Sequence, residues 1–165
     1  MAGYRLDFFS RSSAFMDGLE FIVLVVPGFA ACAEFGFFLF TRPSVRGLSE
    51  PDRVRAEQRL LQRFNRVMPL LTGLSILLIL IYALRFEENN AANRAVWGAL
   101  FFFSAATASS IWLNRPIDEE IAGWSPEQLP ANWKAVWTRY SIAQGLRASL
   151  QFLGFLLLCG SIAAR

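Results

Sequence analysis

Residues 19–40 read LEFIVLVVPGFAACAEFGFFLF, a stretch whose only charged side chains are Glu20 and Glu34. A helix of about 20 residues is long enough to cross the roughly 30 Å hydrocarbon core of a membrane. Three further stretches have a similar length and apolar character, and they span about residues 67–86, 95–113 and 142–163. The sequence therefore predicts an all-α integral membrane protein, a bundle of four transmembrane helices.

The rest of the chain divides into a polar N-terminal tail and two long polar connections. The tail covers residues 1–17, and the connections cover residues 41–66 and 114–141. A short loop is expected at residues 87–93. No internal repeat separates these parts, so we expect residues 1–165 to form a single domain.

Both polar connections are expected to be partly helical. Ser49 followed by Pro51 is typical of a helix start, because Pro is tolerated in the first turn. A proline inside a helix removes a backbone donor and clashes with the preceding turn. We therefore expect Arg42-Pro43 to end the first helix and Asn114-Arg115-Pro116 to end the third.

The composition excludes several classes of function. Of the 165 residues, 55% are hydrophobic and 18% charged, against about a quarter charged in soluble domains. The chain contains no His, which excludes bis-His haem and His-based metal sites, so no metal and no cofactor are expected. The basic residues flank apolar stretches, which is not the pattern of a nucleic-acid-binding domain. Cys32 and Cys159 lie in different spans at different depths, so no disulfide is predicted.

Basic residues are distributed unevenly between the two predicted sides of the membrane. One side has five: Arg5, Arg11, Arg85, Arg94 and Arg165. The two long connections have ten: Arg42, Arg46, Arg53, Arg55, Arg59, Arg63, Arg66, Arg115, Lys134 and Arg139. Because cytoplasmic loops are enriched in Lys and Arg, both termini are predicted to lie on the non-cytoplasmic side.

Two charged residues within the spans are expected to form an ion pair. Glu34 lies about six residues before the end of the first span, and Arg147 about five residues into the fourth, on the same side. At 1.5 Å per residue the two residues lie at matching depths. A lone charge there costs roughly 2.5–3.5 kcal/mol, so each requires a partner.

A polar pocket is predicted around this ion pair. Asn114, Asp118 and Gln144 are expected near it, at the same end of the bundle. Two interpretations stay open at this point. The pair fixes the register of the helices, or it belongs to a pocket that binds a small amphipathic ligand.

These residues resemble a known family. The resemblance rests on four features: Glu34 in the first helix, the segment AEQRLLQRFNRVMP, Asn114-x-Pro116-x-Asp118, and the region from Trp133 to Arg147. In their order and spacing these features are similar to the anthrone-oxygenase-like group of small four-helix membrane proteins. Many members of that group are bacterial and of unknown function. The resemblance implies the same bundle and a bacterial inner membrane. Assigned members oxidise anthrones with molecular oxygen and without an evident metal or flavin.

This chain departs from the family pattern in the fourth helix. Members usually carry a His three residues before its Arg, where this chain has Gln144, and a Trp where it has Tyr140. Anthrone oxidation requires a base, and an amide side chain does not accept a proton at neutral pH. Asp118 or Glu34 would have to serve instead.

Three functions are therefore considered. The first is an accessory or structural membrane subunit that retains the family bundle and packs against other membrane proteins. The second is a cofactor-independent oxygenase for an aromatic, membrane-partitioned substrate, with Glu34, Asn114, Asp118, Gln144 and Arg147 lining its site. The third is a binding protein for a small lipophilic molecule. The expected surroundings are the lipid bilayer in every case, with no nucleic acid.

Overall fold

A computed structural model describes residues 3–85 and 91–164, with side chains from residue 18 onward. Its helices are α1 (Gly3–Gly36), α2 (Arg42–Val45), α3 (Glu50–Ala83), α4 (Ala91–Ser109), α5 (Arg115–Ala122) and α6 (Trp133–Ala163). Two π-helical turns, Phe37–Thr41 and Ser110–Asn114, join α1 to α2 and α4 to α5.

Four helical units are long and apolar enough to cross a membrane: Gly18–Val45, Glu50–Ala83, Ala91–Ala122 and Trp133–Ala163. The predicted all-α membrane bundle of four helices is thereby confirmed. These units extend beyond the predicted spans. At 1.5 Å per residue the 34 residues of α3 measure about 51 Å, well over the thickness of the hydrocarbon core.

The helices form a ring in which each packs against two neighbours. α1 contacts α3 and α6, and α4 contacts the same two helices from the opposite corner. Neighbouring helices are antiparallel: along α1 and α6, Gly28 lies against Phe155, whereas Phe38 lies against Gly145. The arrangement is therefore an up-down-up-down bundle.

Two apolar clusters fill the ends of the bundle. The "connection end" is the one where residues 46–49 and 123–132 link the helices, and its cluster includes Leu61, Ile121 and Trp137. The cluster toward the opposite end includes Val23, Ile79, Val96, Phe103 and Leu158. A layer of buried polar side chains separates the two clusters: Glu34, Thr72, Asn114, Gln144 and Gln151.

The prediction that Arg-Pro pairs end the first and third helices is wrong. Both helices continue through a π-turn, in which the N–H of Arg42 donates to the Phe37 carbonyl and that of Arg115 to the Ser110 carbonyl. Each Arg precedes a proline that has no N–H and crowds the carbonyl four residues earlier. The wider turn carries that carbonyl away from the proline ring, so the helix continues.

The polar connections are largely helical, as expected. Ser49 caps α3 as predicted, because its hydroxyl accepts a hydrogen bond of 3.4 Å from the Asp52 N–H. The N-terminal tail predicted at residues 1–17 is not separate from the first helix, because α1 already begins at Gly3. Of the loop expected at residues 87–93, residues 87–90 lie outside the described residues and Ala91 begins α4. Cys32 and Cys159 are free thiols.

Candidate functional site

A cavity of about 660 Å³ opens between α3 on one side and α4, its π-turn and α5 on the other. We call it the α3–α4 cavity. Most of its lining residues belong to α3 or to the unit from α4 to α5, and one residue of α1 and two of α6 complete the wall. The lining residues are Glu34, Gln58, Leu61, Gln62, Asn65, Met68, Pro69, Thr72, Gly73, Thr107, Ser110, Ile111, Asn114, Arg115, Asp118, Glu119, Ala122, Arg147 and Gln151. The lining therefore mixes apolar side chains with amides, hydroxyls and charges.

An ion pair between α1 and α6 forms part of the cavity wall. Arg147 Nη2 donates to Glu34 Oε2 over 2.6 Å, and the Glu34 side chain is only 1% exposed. The predicted pairing of these residues is confirmed. Antiparallel packing of α1 against α6 brings the two residues to the same depth, and the contact compensates both charges where Glu34 is buried and Arg147 is only 11% exposed.

Gln144 connects the ion pair to the third membrane helix. Its amide nitrogen donates to Glu34 Oε2 over 2.9 Å, and its amide oxygen accepts from Asn114 Nδ2 over 3.1 Å. Arg147 Nη1 extends the network to the Ser110 hydroxyl at 3.3 Å. Four of the five predicted site residues thus belong to one hydrogen-bonded network. Gln144 is buried behind the ion pair and does not line the cavity.

Asp118, the fifth predicted site residue, lines the cavity but lies outside that network. It is on α5, one helical turn after Asn114, and its Oδ2 accepts a hydrogen bond from Asn65 Nδ2 over 3.2 Å. Within the described part of the chain, no Arg or Lys nitrogen forms a salt bridge with it. The structure therefore brings all five residues into one region, with Asp118 as a separate carboxylate.

The π-turns lie beside this polar region. Ser110 and Asn114 are the first and last residues of the second π-turn, and Glu34 lies three residues before the first. A π-turn inserts one residue into the helix and changes which side chains face inward. The second turn places Ser110 and Asn114 together against α6. Such turns occur frequently at functional sites.

In the part of the chain that the structure describes, four buried polar atoms of residues that line the cavity have no hydrogen-bond partner. Three are acceptors, Asn114 Oδ1, Asp118 Oδ1 and Gln151 Oε1, and the fourth is the donor Arg147 Nε. A buried polar atom without a partner costs roughly 1–3 kcal/mol. All four atoms belong to side chains that line one cavity, so a ligand whose polar group reaches them would supply their missing partners.

Sequence reasoning did not place Thr72, Gln151 or Asn65 in the site. Gln151 Nε2 donates to the Thr72 hydroxyl over 3.2 Å within the buried layer. Both residues belong to polar positions at helical spacing within apolar spans, which is the signal that could have identified them. Asn65 is exposed and lies in a stretch rich in charge, so no sequence signal distinguishes it from the other exposed residues of that stretch.

A second polar cluster, near the connection end, was also not predicted. Arg42 is 3% exposed and lies over the ring of Tyr140, 4.2 Å from its centroid. Arg53 lies 4.6 Å from the centroid of Trp137, and the buried Glu57 lies in the same cluster. These cation–π contacts tie α2 and the start of α3 to α6.

The two connections also contact each other at the surface. Arg55 donates to Glu127 over 2.6 Å, and this hydrogen bond lowers the pKa of the exposed Glu127 carboxyl below its usual value. Exposed ion pairs contribute little to stability. The contact joins the start of α3 to the segment before α6.

No family model, no curated protein and no solved structure matches this chain. The resemblance to the anthrone-oxygenase-like group therefore stays a prediction. In the described residues, no group of three or more His, Cys, Asp or Glu side chains is placed to hold a metal ion. The geometry of the α3–α4 cavity is thus the main guide to function.

Proposed function

We propose that this protein binds a small amphipathic molecule from the lipid phase in the α3–α4 cavity. One observation supports this above the others: among the described residues, four side chains that line a single cavity inside a membrane bundle each carry a buried polar atom without a partner. The volume of about 660 Å³ falls within the roughly 300–1,000 Å³ typical of small-molecule sites.

The rim of the cavity supports entry from the side. Pro69 and Gly73 of α3 and Ile111 of the π-turn line the cavity and are also exposed on the bundle surface. These residues carry no charge, so a molecule dissolved among lipid chains reaches the cavity without first crossing water. Its polar group then meets the layer formed by Asn114 and Gln151.

We further propose a bacterial inner membrane as the location, with the connection end on the cytoplasmic side. This orientation is supported by the excess of Arg and Lys in the two long connections. In this orientation the polar end of the α3–α4 cavity, near Gln58 and Glu119, opens toward the cytoplasmic interface.

The test uses 1-decanol as the probe and a variant that fills the cavity. Gly73 belongs to the cavity lining, and a Cβ atom added there meets nothing within 4 Å, so Gly73→Trp is the variant designed to obstruct the cavity. Gly160→Trp is the matched control, because Gly160 is equally unobstructed but lies outside the cavity. All three proteins are placed in phosphatidylcholine nanodiscs, and protein-free nanodiscs measure simple partitioning.

We expect saturable binding of decanol to the wild type and to Gly160→Trp, and only partitioning with Gly73→Trp. Equal binding by all three proteins would refute a ligand site in the cavity. Absence of saturable binding to the wild type would refute it as well.

The oxygenase activity implied by the resemblance stays a second proposal, supported by one feature of the cavity. Glu34 is engaged by Arg147 and Gln144, whereas Asp118 forms no salt bridge among the described residues and is the better placed base. Oxidation of an anthrone by the purified wild type, lost in Asp118→Asn, would support it. The accessory role also stays a proposal, for which co-elution with a larger assembly in mild detergent is the test.

A further inference from the structure

The charges that line the α3–α4 cavity do not balance. Glu34 is paired with Arg147 at 2.6 Å, and Arg115 with Glu119 at 2.9 Å. Among the described residues of the lining, Asp118 is the remaining charged one; it forms no salt bridge and accepts a hydrogen bond from the neutral amide of Asn65. The wall thus carries one carboxylate in excess.

The partnerless atoms of the wall are also mostly acceptors. Among the described residues of the lining, Asn114, Asp118 and Gln151 each contribute a buried oxygen without a donor, and Arg147 Nε is the one donor without an acceptor. Asn114 is 1% exposed, Gln151 1% and Asp118 9%, so water reaches these side chains poorly. A ligand that completes this wall must therefore donate hydrogen bonds.

The positions of two of these acceptors favour a single donor group. Asn114 ends the π-turn and Asp118 lies four residues further along, in α5. Residues four apart on a helix lie on the same face, one turn from each other. An ammonium group has three donors and no acceptor, and its positive charge matches the unbalanced carboxylate.

We propose that the ligand of the α3–α4 cavity is a lipophilic primary amine, with Asp118 as its counter-ion and Asn114 as a second acceptor. This inference rests on the proposed function and adds the chemical class of the ligand. The apolar part of the molecule lies along Leu61, Met68 and Ile111, which provide the apolar lining beside these polar groups.

Three matched probes test the proposal on the wild-type protein alone. Decylamine, decyltrimethylammonium and 1-decanol share one chain and differ in their head groups: the first has a charge and N–H donors, the second only a charge, and the third only one donor. Binding is measured at pH 7, where an alkylamine is protonated, in phosphatidylcholine nanodiscs with partitioning subtracted. We expect decylamine to bind about 30-fold more tightly than decanol, since loss of a buried charge partner has effects of that size.

Variants then test the role of Asp118. Asp118→Asn removes the charge but keeps the shape of the side chain and an acceptor for Asn65. Glu120→Gln is the matched control, because Glu120 is an exposed carboxylate on the same helix that does not line the cavity. We expect Asp118→Asn to reduce the ratio of decylamine affinity to decanol affinity about 30-fold, to near one, and Glu120→Gln to leave both affinities unchanged.

The outcomes separate this inference from the proposed function. Decanol and decylamine binding equally well to the wild type would overturn the amine proposal and leave the cavity site intact. Decylamine binding that is unchanged in Asp118→Asn would also overturn it. Saturable binding of none of the probes would refute the cavity site itself.

A primary amine reaches the cavity either as a free molecule or as a lipid head group. Nanodiscs containing phosphatidylethanolamine distinguish the two sources. Loss of decylamine binding in these nanodiscs would identify the lipid head group as the occupant. Retained binding would identify a free amine, and both results uphold the amine class.

Discussion

Glu34 and Arg147 compensate each other in a layer that water reaches poorly. The two side chains are joined over 2.6 Å, and Gln144 adds a second donor to the same carboxylate oxygen. Separating a buried pair by removing one partner leaves an uncompensated charge, which costs more than the pair contributes. The stability of the bundle should therefore depend on both residues together.

Replacing one member of the pair should destabilise the bundle more than replacing both. We expect Arg147→Leu to lower the free energy of unfolding by about 3–5 kcal/mol, because Glu34 loses its cation. The double variant Glu34→Gln/Arg147→Leu should recover a large part of that loss. Denaturant unfolding in a mild detergent, arranged as a double-mutant cycle, measures the coupling.

Arg115→Leu provides the control for this cycle. Its pair with Glu119 is exposed, with side chains 73% and 67% accessible, so the expected loss is under about 1 kcal/mol. Additive effects of Glu34→Gln and Arg147→Leu, within about 0.5 kcal/mol, would show that the two residues do not interact.

The ion pair was predicted from the sequence, whereas the cluster of Arg42, Arg53 and Glu57 was not predicted. The pairing of Glu34 with Arg147 requires only the limits of two spans and the rise of a helix. Glu57 lies in a segment with many charges, which resembles an exposed surface. Its spacing from Val54 and Leu61 nevertheless places it on the apolar face of α3, and this was the available signal.

Glycines allow the membrane helices to approach closely. A Cβ atom at Gly154 of α6 would lie 2.8 Å from a ring atom of Phe103 and 3.3 Å from the Ala99 carbonyl, both on α4. Small residues at helix contacts are the usual means of association in lipid, where no hydrophobic effect drives packing between helices. The α4–α6 contact therefore depends on this position.

Gly154→Ala should destabilise the bundle by about 1–3 kcal/mol, the usual cost of overpacking. Gly160→Ala on the same helix is the control, because an added Cβ there meets nothing within 4 Å. Thermal unfolding of both variants in the same detergent measures the difference. Equal midpoints would mean that α4 and α6 do not pack through Gly154.

The elements themselves were predicted well except at the N-terminal tail and at the two Arg-Pro pairs. Hydropathy locates the membrane helices because a span must place about 20 apolar residues in hydrocarbon. A proline predicts a helix end from local sterics alone, and the π-turns at Phe37–Thr41 and Ser110–Asn114 circumvent that steric clash. Packing of α2 and α5 against their neighbours compensates for these turns, and such tertiary contacts are not visible in the local sequence.

The proposed orientation of the whole molecule rests on the distribution of its basic residues, and it can be measured in cells. In a variant without Cys32 and Cys159, single cysteines at Ser49 and Ala164 mark the connection end and the opposite end. We expect a membrane-impermeant maleimide to label Ala164→Cys in intact cells, and Ser49→Cys only after the membrane is opened. The reverse pattern would contradict the proposed orientation.

The α3–α4 cavity was predicted only in part. The sequence indicated that Glu34, Asn114, Asp118, Gln144 and Arg147 lie together, because burial of charge requires it. It did not indicate the volume of the cavity, its opening between α3 and α4, or the exclusion of Gln144 from its lining. These properties depend on how far two helices stand apart, and hydropathy contains no information about that distance.

A density map of the native protein, purified in nanodiscs from its own membrane, tests the central claim most directly. We expect non-protein density in the α3–α4 cavity, in contact with Asn114 and Asp118. The Glu34–Arg147 pair should be intact in the same map. A map in which α3 closes against α5 and leaves no cavity, or in which Glu34 and Arg147 face lipid separately, would contradict it.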